Sequence, residues 1–374
     1  MSDDDARHAR ALRPPRDLGA APLPGVTKDR PEDFRVEELP AYAPAGEGDH
    51  CFVHLEKRDL STREAIRRLA RALGVAARDV GAAGQKDRHA ITTQWVSLPG
   101  VDPAEVGPRV VDAGLGEGDA WLRVLAAERH PKNLRTGHLR GNRFVLRIRD
   151  VDEASARDAD ARLERLAAEG IPNYFGSQRF GRANLAEAHT WLVAGGRAPR
   201  DRFLKRMLVI AHQSGAFNQA LAERVARARA GAAACAQVRA GEVCRVEASG
   251  CIFVVAPGTE EAEAARVARW ETSPTGPLFG PKMPAAEGAA ADAERALAAA
   301  WGFTEPVLAR LGRLGPGGRR AIRVRPGELE RSTIEEGCWE LRFTLPPGSY
   351  ATVLLRELHG DPETPVSGMR AAPR

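Results

Sequence analysis

Apolar and polar residues alternate with a period of two in several short runs of this chain, and each run predicts a strand. Residues 28–38 end in such alternation, and residues 51–55 follow the turn Gly46-Glu47-Gly48-Asp49 as a second strand. Residues 92–98, 120–127 and 144–148 read the same way, with Phe144, Leu146 and Ile148 on one face and Arg143, Arg147 and Arg149 on the other. Between them lies a helix with clear ends: Ser61 as N-cap, Glu64 three residues on, an apolar stripe of Ile66, Leu69 and Leu73, and Gly74 as the stop. A second helix is expected over 153–169, ending at Gly170. Residues 1–25 lack any period and predict a tail without fixed structure, and 99–118 read as loop.

From about residue 201 the character changes. A long helical pattern over 203–230 gives way to Ala-rich and Gly-rich sequence, then short strands near 243–246 and 252–255 and a helix near 260–270. The Pro-rich stretch 273–280 reads as a loop, and another Ala-rich helix follows. Strand patterns return at 321–324 and 338–344, and a Pro/Gly turn at 345–349 opens a short C-terminal helix. At 374 residues, about two domains are expected.

Composition changes this picture little: 43% hydrophobic and 28% charged residues describe a globular chain. Apolar runs stay well short of a membrane span, and the opening MSDDDARHAR lacks an apolar signal core, so a cytoplasmic protein without membrane contact is expected. Five scattered cysteines, none spaced C-x-x-C, suggest neither a disulfide framework nor a zinc site. Charge says more. The net +5 is mild, but residues 129–149 carry Arg129, Lys132, Arg135, Arg140, Arg143, Arg147 and Arg149 with no acid among them, a candidate phosphate-contacting ribbon.

Two stretches carry candidate chemistry. Residues 81–98, GAAGQKDRHAITTQWVSL, put Asp87 just past a run of small residues and between Lys86 and Arg88. An aspartate among cations suits nucleophilic or general-base work on an anionic substrate; it also suits a surface ion pair. Residues 171–182 place Tyr174 and Phe175 beside Asn173 in a Gly-bounded turn with two arginines, which fits either a base-stacking, phosphate-clamping loop or a pair of core anchors. Phosphate-loop, dinucleotide-fold, zinc-protease and hydrolase-elbow motifs are missing from the sequence.

Three blocks, 84–92 (GQKDRHAIT), 172–181 (PNYFGSQRFG) and 345–352 (LPPGSYAT), closely resemble the signatures of the TruD family of tRNA pseudouridine synthases. Pro31-Glu32-Asp33-Phe34 and Asn142-Arg143-Phe144 are similar to two further blocks, in the same order along the chain. The resemblance implies an α+β fold: a mixed, mainly antiparallel catalytic domain at 26–198 and 322–374, interrupted by a family-specific inserted domain at 199–321 that helps to grip tRNA. It implies isomerisation of uridine to pseudouridine, at position 13 of the D-arm, with Asp87 as the catalytic residue. Phe175 and Tyr350 would line the uridine pocket and Asn173 would position the base or the aspartate. Lys28 and Glu32 fall on polar pocket positions, while Lys86, Arg88 and Arg179 are expected to pair with phosphate or the aspartate. Tyr350 stands where relatives often carry phenylalanine, and Tyr174 is expected to support rather than touch substrate. The reaction calls for no metal or cofactor. tRNA is the expected partner, and the oligomeric state is open, with a monomer the simplest expectation. Two other readings remain: an RNA-binding protein of this fold without catalysis, and a metal-dependent nuclease, disfavoured because Asp87 has no second carboxylate at ligand spacing.

Overall fold

In the computed structural model, which describes residues 3–181, 183–227 and 234–361, the chain divides into two compact units. One comprises 23–163 and 326–348; the other comprises 3–22, 164–325 and 349–361. Residues 164–198 therefore share a unit with the segment 199–321.

The first unit is built on a sheet of nine strands among the described residues. Seven are long: β1 (Phe34–Pro40), β2 (His50–Arg58), β3 (Ile91–Pro99), β4 (Leu122–His130), β5 (Leu139–Arg149), β6 (Gly327–Glu335) and β7 (Cys338–Leu345). Their spatial order is β6-β7-β5-β1-β3-β2-β4. Every pairing along that path is antiparallel except β1 with β3. Cross-strand partners point to one face, so the registers Phe34–Leu146, Val36–Thr92, Val53–Val96 and Leu341–Leu146 define a single core face. Helices Thr62–Leu73 and Pro103–Asp112 help to bury its apolar part, where Val53, Leu55, Leu69, Val96, Leu98 and Val106 share one cluster.

The first of these helices has the ends its sequence predicts. Ser61 Oγ accepts the Glu64 N–H at 3.1 Å, and Gly74 closes it at φ 70°. The Glu64 carboxylate turns to Arg67 and Arg68. The second corrects the loop expected over 99–118. Asp102 caps it and Pro103 opens it, a start signal that the interior Pro108 obscures.

The second unit centres on the 26-residue helix Arg202–Arg227. Leu208, Ala211, Ala216 and Phe217 on this helix join Trp301 and Phe303 in one apolar core. A four-stranded antiparallel sheet runs in the order Ile252–Val254, Val243–Val246, Thr272–Leu278, Gly318–Ala321. Thr272–Leu278 corrects the loop expected at 273–280: Pro274 and Pro277 each lack an amide donor, yet the strand keeps ladder partners on both sides. The N-terminal expectation is corrected too. Residues Asp3–Leu12 form a helix, whose Ala11 is fully buried in the same core and whose Ala11 carbonyl accepts from Asn218 Nδ2 at 2.9 Å. A helix this short depends on such packing rather than on its own propensity, which is why its composition looked like a tail. Of the long helical pattern expected over 203–230, residues 228–230 lie outside the described residues.

No helix among the described residues is long and apolar enough to cross a membrane.

Candidate functional site

The core face of the first unit's sheet carries polar side chains where strand parity calls for apolar ones. Lys57 follows Cys51, Val53 and Leu55 in β2; Glu38 follows Phe34 and Val36 in β1; Thr92 and Gln94 precede Val96 and Leu98 in β3. None of the four is more than 2% exposed. Their registers bring them together: Lys57 is opposite Thr92, Leu55 opposite Gln94, and Glu38 opposite Asn142 of β5. Burying polar groups is costly unless they are paired, and most of these are.

This band supports the loop that carries Asp87. Thr62 Oγ1 accepts the Lys86 N–H at 2.8 Å and donates to Gln94 Oε1 at 2.9 Å, while Gln94 Nε2 reaches the Gly84 carbonyl at 3.5 Å. The Lys86 ammonium turns inward, 2.7 Å from Glu38 Oε2 and 2.7 Å from Asn142 Oδ1, with its side chain 4% exposed. Glu38 Oε1 also accepts the Trp95 N–H. Lys86 was expected to pair with phosphate or with Asp87; the structure seats it on Glu38, whose buried carboxylate would otherwise be left without a charged partner. Arg88 is largely exposed, with Asp59 at 3.9 Å. The cations that flank Asp87 in sequence are thus engaged elsewhere.

Two distant lysines take their place. Lys28 Nζ lies 3.5 Å from Asp87 Oδ2 and 3.7 Å from the centre of the Phe34 ring. Its backbone sits at φ 60°, a left-handed conformation that costs a non-glycine residue energy. Lys57, fully buried, donates to the Asp87 backbone carbonyl at 2.8 Å and to the Leu60 carbonyl at 2.5 Å. Burial brings its pKa down to about 8, with the Asp87 carboxylate pulling the other way. Glu32 is held by Arg58 at 2.5 Å, and that hydrogen bond lowers its carboxyl pKa. Next to it, burial pushes the Asp33 carboxyl up, but the hydrogen bonds and charge of Arg149, with the Arg30 N–H and the Arg147 charge, together outweigh that and leave it lowered.

The basic ribbon fares differently from its expectation. Arg149 pairs with Asp33, Arg143 with Glu37 and Glu328, and Arg147 and Arg129 lie 3.9 Å from Glu340 and Asp102. The acids missing from its own sequence arrive on neighbouring strands and loops.

The second unit holds the other candidates. Asn173 is fixed on all sides: its N–H donates to Ile322 O at 2.8 Å, Nδ2 donates to Ala321 O at 2.8 Å, and Oδ1 accepts from Arg320 at 2.5 Å. Phe175 exchanges two backbone hydrogen bonds with the buried Asn218 amide. Its ring, 8% exposed, has the Arg320 guanidinium at 4.1 Å, Arg179 at 5.4 Å and the Tyr350 ring at 6.2 Å. Burial lowers the Arg320 pKa to about 10, with the nearby Arg179 adding to it. Arg179 Nε donates to Tyr350 Oη at 3.0 Å, giving a partner to the hydroxyl that a phenylalanine would lack. Gly176 makes this packing possible: a Cβ there would lie 2.9 Å from Tyr350 Cδ1 and 3.0 Å from Thr352 Oγ1. Tyr174 is 1% exposed, in the core cluster.

Of the eight expected site residues, Lys28, Glu32, Lys86 and Asp87 belong to the first unit and Asn173, Phe175, Arg179 and Tyr350 to the second. Among the described residues, no cluster of three or more His, Cys, Asp or Glu side chains could hold a metal ion.

A family model described as tRNA pseudouridine synthase D (TruD) matches residues 19–196 and 184–358. The chain belongs to the TruD family. It is 45% identical over 353 residues to the tRNA pseudouridine synthase D of Anaeromyxobacter dehalogenans strain 2CP-C, covering 91% of this chain and 95% of that one. A Thermus thermophilus protein of the same name is 41% identical over 90% of each chain. A solved chain from Methanosarcina mazei, described as a candidate TruD, shares the fold with a TM-score of 0.68 at 23% identity, over 95% of this chain and 98% of that one. The TruD fold is accordingly α+β with a mainly antiparallel sheet, as expected.

Sequence reasoning passed over Lys57, Glu38, Gln94 and Arg320. For the first three a signal existed, since each is a polar residue at a core-facing strand position. Arg320 offered none, because its partners lie about 147 residues away in the chain.

Proposed function

We propose that this chain isomerises uridine 13 in the D-arm of tRNA to pseudouridine, with Asp87 as the reacting carboxylate. One observation carries the assignment to Asp87. Its carboxylate has the Lys28 ammonium at 3.5 Å and its backbone is tied to the buried Lys57, on a loop braced by Thr62, Gln94 and Glu38. Membership of a family whose relatives are named for this activity supports the reaction class. The base leaves its stack, the N1–C1′ bond breaks, the base turns, and C5 bonds to C1′. The C5 proton departs and N1 takes one up, so no atoms or electrons are gained or lost. Asp87 acts on the sugar or base as nucleophile, or as base at the 2′ carbon. Lys28 supplies a fixed positive charge beside it, and Phe175 and Tyr350 offer aromatic surface to the uridine. In this reading the segment 199–321 helps to grip the tRNA, and the enzyme works in the cytoplasm.

The test is tritium release from tRNA transcribed with 5-tritiated uridine. Wild-type protein is expected to release it, Asp87→Asn to release none, and a transcript with cytidine at position 13 to yield none. Release by Asp87→Asn would move the chemistry to another residue, and release from the cytidine transcript would move the target. Silence from the wild type with tRNA still bound would leave an RNA-binding protein without catalysis.

A further inference from the structure

An open cavity of about 840 Å³ lies in the first unit, where the ends of β2 and β4 meet the loop after β1. Its walls include Tyr42, His50, His130, Lys132, Arg135 and His138, and no carboxylate. His50 and His130 are direct cross-strand partners.

Three observations give this cavity a ligand chemistry. The first is the fate of the basic ribbon. Arg129, Arg143, Arg147 and Arg149 face carboxylates and Arg140 donates to the Pro40 carbonyl, whereas among the described residues no ion pair engages Lys132 or Arg135. Of the ribbon's three cations without an acid, Lys132 and Arg135 stand at this cavity, while Arg140 is tied to the Pro40 carbonyl. The second is an aromatic platform. The Tyr42 ring stacks on the His130 imidazole at 5.2 Å and 16°, the Phe52 ring packs 4.3 Å from the same imidazole, and Tyr42 remains 37% exposed. Burial, then the neighbouring His50 and Lys132, lower the His130 pKa, which favours its neutral imidazole. Tyr42 Oη and His138 Nδ1 are hydrogen bonded at 2.7 Å.

The third is how the loop is anchored. Ser97 Oγ accepts the Leu134 N–H at 2.9 Å and donates to Asn133 Oδ1 at 2.6 Å, and the Gly137 N–H donates to the Ala83 carbonyl at 2.8 Å. A Cβ on Gly81 would lie 2.2 Å from Asn133 Oδ1 and from the Leu134 carbonyl oxygen. The loop is fastened to residues 81–83, just ahead of Asp87, so the cavity has a fixed place relative to the proposed reacting carboxylate.

We propose that this cavity is a second RNA-contact site that takes one unpaired nucleotide of the substrate, its base on the Tyr42 ring and its flanking phosphates on Lys132 and Arg135. An exposed ring with unpaired cations and no acid is the pattern that binds single-stranded nucleic acid irrespective of sequence. The assignment rests on the proposed function in taking RNA as the partner.

The experiment uses the full chain and unmodified tRNA transcript, with the dissociation constant measured between 50 and 200 mM KCl. Losing two phosphate contacts should make the log–log salt slope of Lys132→Ala/Arg135→Ala shallower by about 1.4 to 1.8 and weaken binding at the low-salt end. Tyr42→Ala should weaken binding about fivefold or more at every salt concentration with the slope unchanged, and Tyr42→Phe should bind like wild type. Lys132 and Arg135 are exposed, so equal melting temperatures are expected for the double variant. Wild-type affinity and slope in the double variant would overturn the proposal. So would displacement of bound uridine monophosphate by neither tRNA nor inorganic phosphate, or a monophosphate site whose loss leaves tRNA binding intact, which would mark a free-nucleotide pocket. Tritium release is scored separately: no release by wild type together with a shallower slope in the double variant would remove the isomerase reading and leave this contact standing.

Discussion

The Lys57 ammonium, with no exposure to solvent, donates to the backbone carbonyl of Asp87 thirty residues further along the chain, at 2.8 Å. A second bond, to the Leu60 carbonyl, makes it a clamp between the end of β2 and the loop that precedes β3. A carbonyl can be held by any donor, yet here a charged group was buried to do it, with its pKa brought down to about 8 from 10.5.

That shift has a signature in stability. Between pH 8 and 10.5 the unfolded chain binds a proton that the folded chain has released, so the contribution of Lys57 to unfolding free energy rises with pH across this window. Below pH 8 both states hold the proton and the full cost of burying the charge is present. Relative to Lys57→Met, the wild type should gain up to about 1.4 kcal/mol per pH unit in that window. Urea unfolding of both proteins at pH 7.5, 8.5 and 9.5 measures it. A constant difference would mean that Lys57 does not titrate there.

Lys86 and Glu38 form a buried pair at 2.7 Å, with side chains 4% and 1% exposed. Removing one partner leaves the other charged and unpaired, so Lys86→Met and Glu38→Gln should each cost about 3 to 5 kcal/mol in urea unfolding. Glutamine keeps an acceptor for the Trp95 N–H, so the double variant should lose at least about 1 kcal/mol less than the sum of the singles. Additive losses would show that the pair is not coupled and that Asn142 alone satisfies the lysine.

These residues also show what the sequence disclosed. Alternation locates the strands, and with that register in hand Lys57, Glu38 and Gln94 stand out as polar side chains on a core face, a pattern legible in the sequence. As a candidate, Asp87 stands out through its setting of small residues and cations, although the cations that hold it, Lys28 and Lys57, are not the ones beside it in sequence. Arg143 and Arg149 looked free because their acids, Glu37 and Asp33, lie more than a hundred residues away. Sheet register creates the first pair and the turn Pro31–Asp33 just before β1 supplies the second, and local charge patterning cannot see either. The helix Asp3–Leu12 was hidden for a related reason, since its order comes from packing on the Arg202–Arg227 helix.

In the second unit, Gly176 tests how closely Tyr350 must approach its turn. Its φ of −69° suits any residue, so Gly176→Ala carries no backbone strain and acts only through the 2.9 Å and 3.0 Å approaches to Tyr350 and Thr352. Overpacking of this kind should cost about 1 to 3 kcal/mol. It should also displace the Tyr350 ring, lowering kcat/KM for tritium release by more than Tyr350→Phe does, which loses only the hydrogen bond to Arg179. Thermal melts alongside tritium release separate the two effects. Equal activity in Gly176→Ala and wild type would mean that the ring's position does not matter to turnover.

Lys28 combines strain with charge, and two substitutions separate them. Lys28→Ala and Lys28→Gly both delete the ammonium 3.5 Å from Asp87 Oδ2 and its contact with the Phe34 ring. Only glycine also relieves the φ of 60°, because a Cβ in the left-handed region crowds the following carbonyl at a cost of about 1 to 2 kcal/mol. Lys28→Gly should therefore be more stable than Lys28→Ala by roughly 1 kcal/mol, offset in part by the greater freedom of glycine in the unfolded chain. If the positive charge beside Asp87 is what the reaction needs, the two variants should lose turnover equally despite their different stabilities. Should Lys28→Gly recover activity that Lys28→Ala lacks, the backbone shape at residue 28 would be the requirement, and the ammonium would be incidental to turnover.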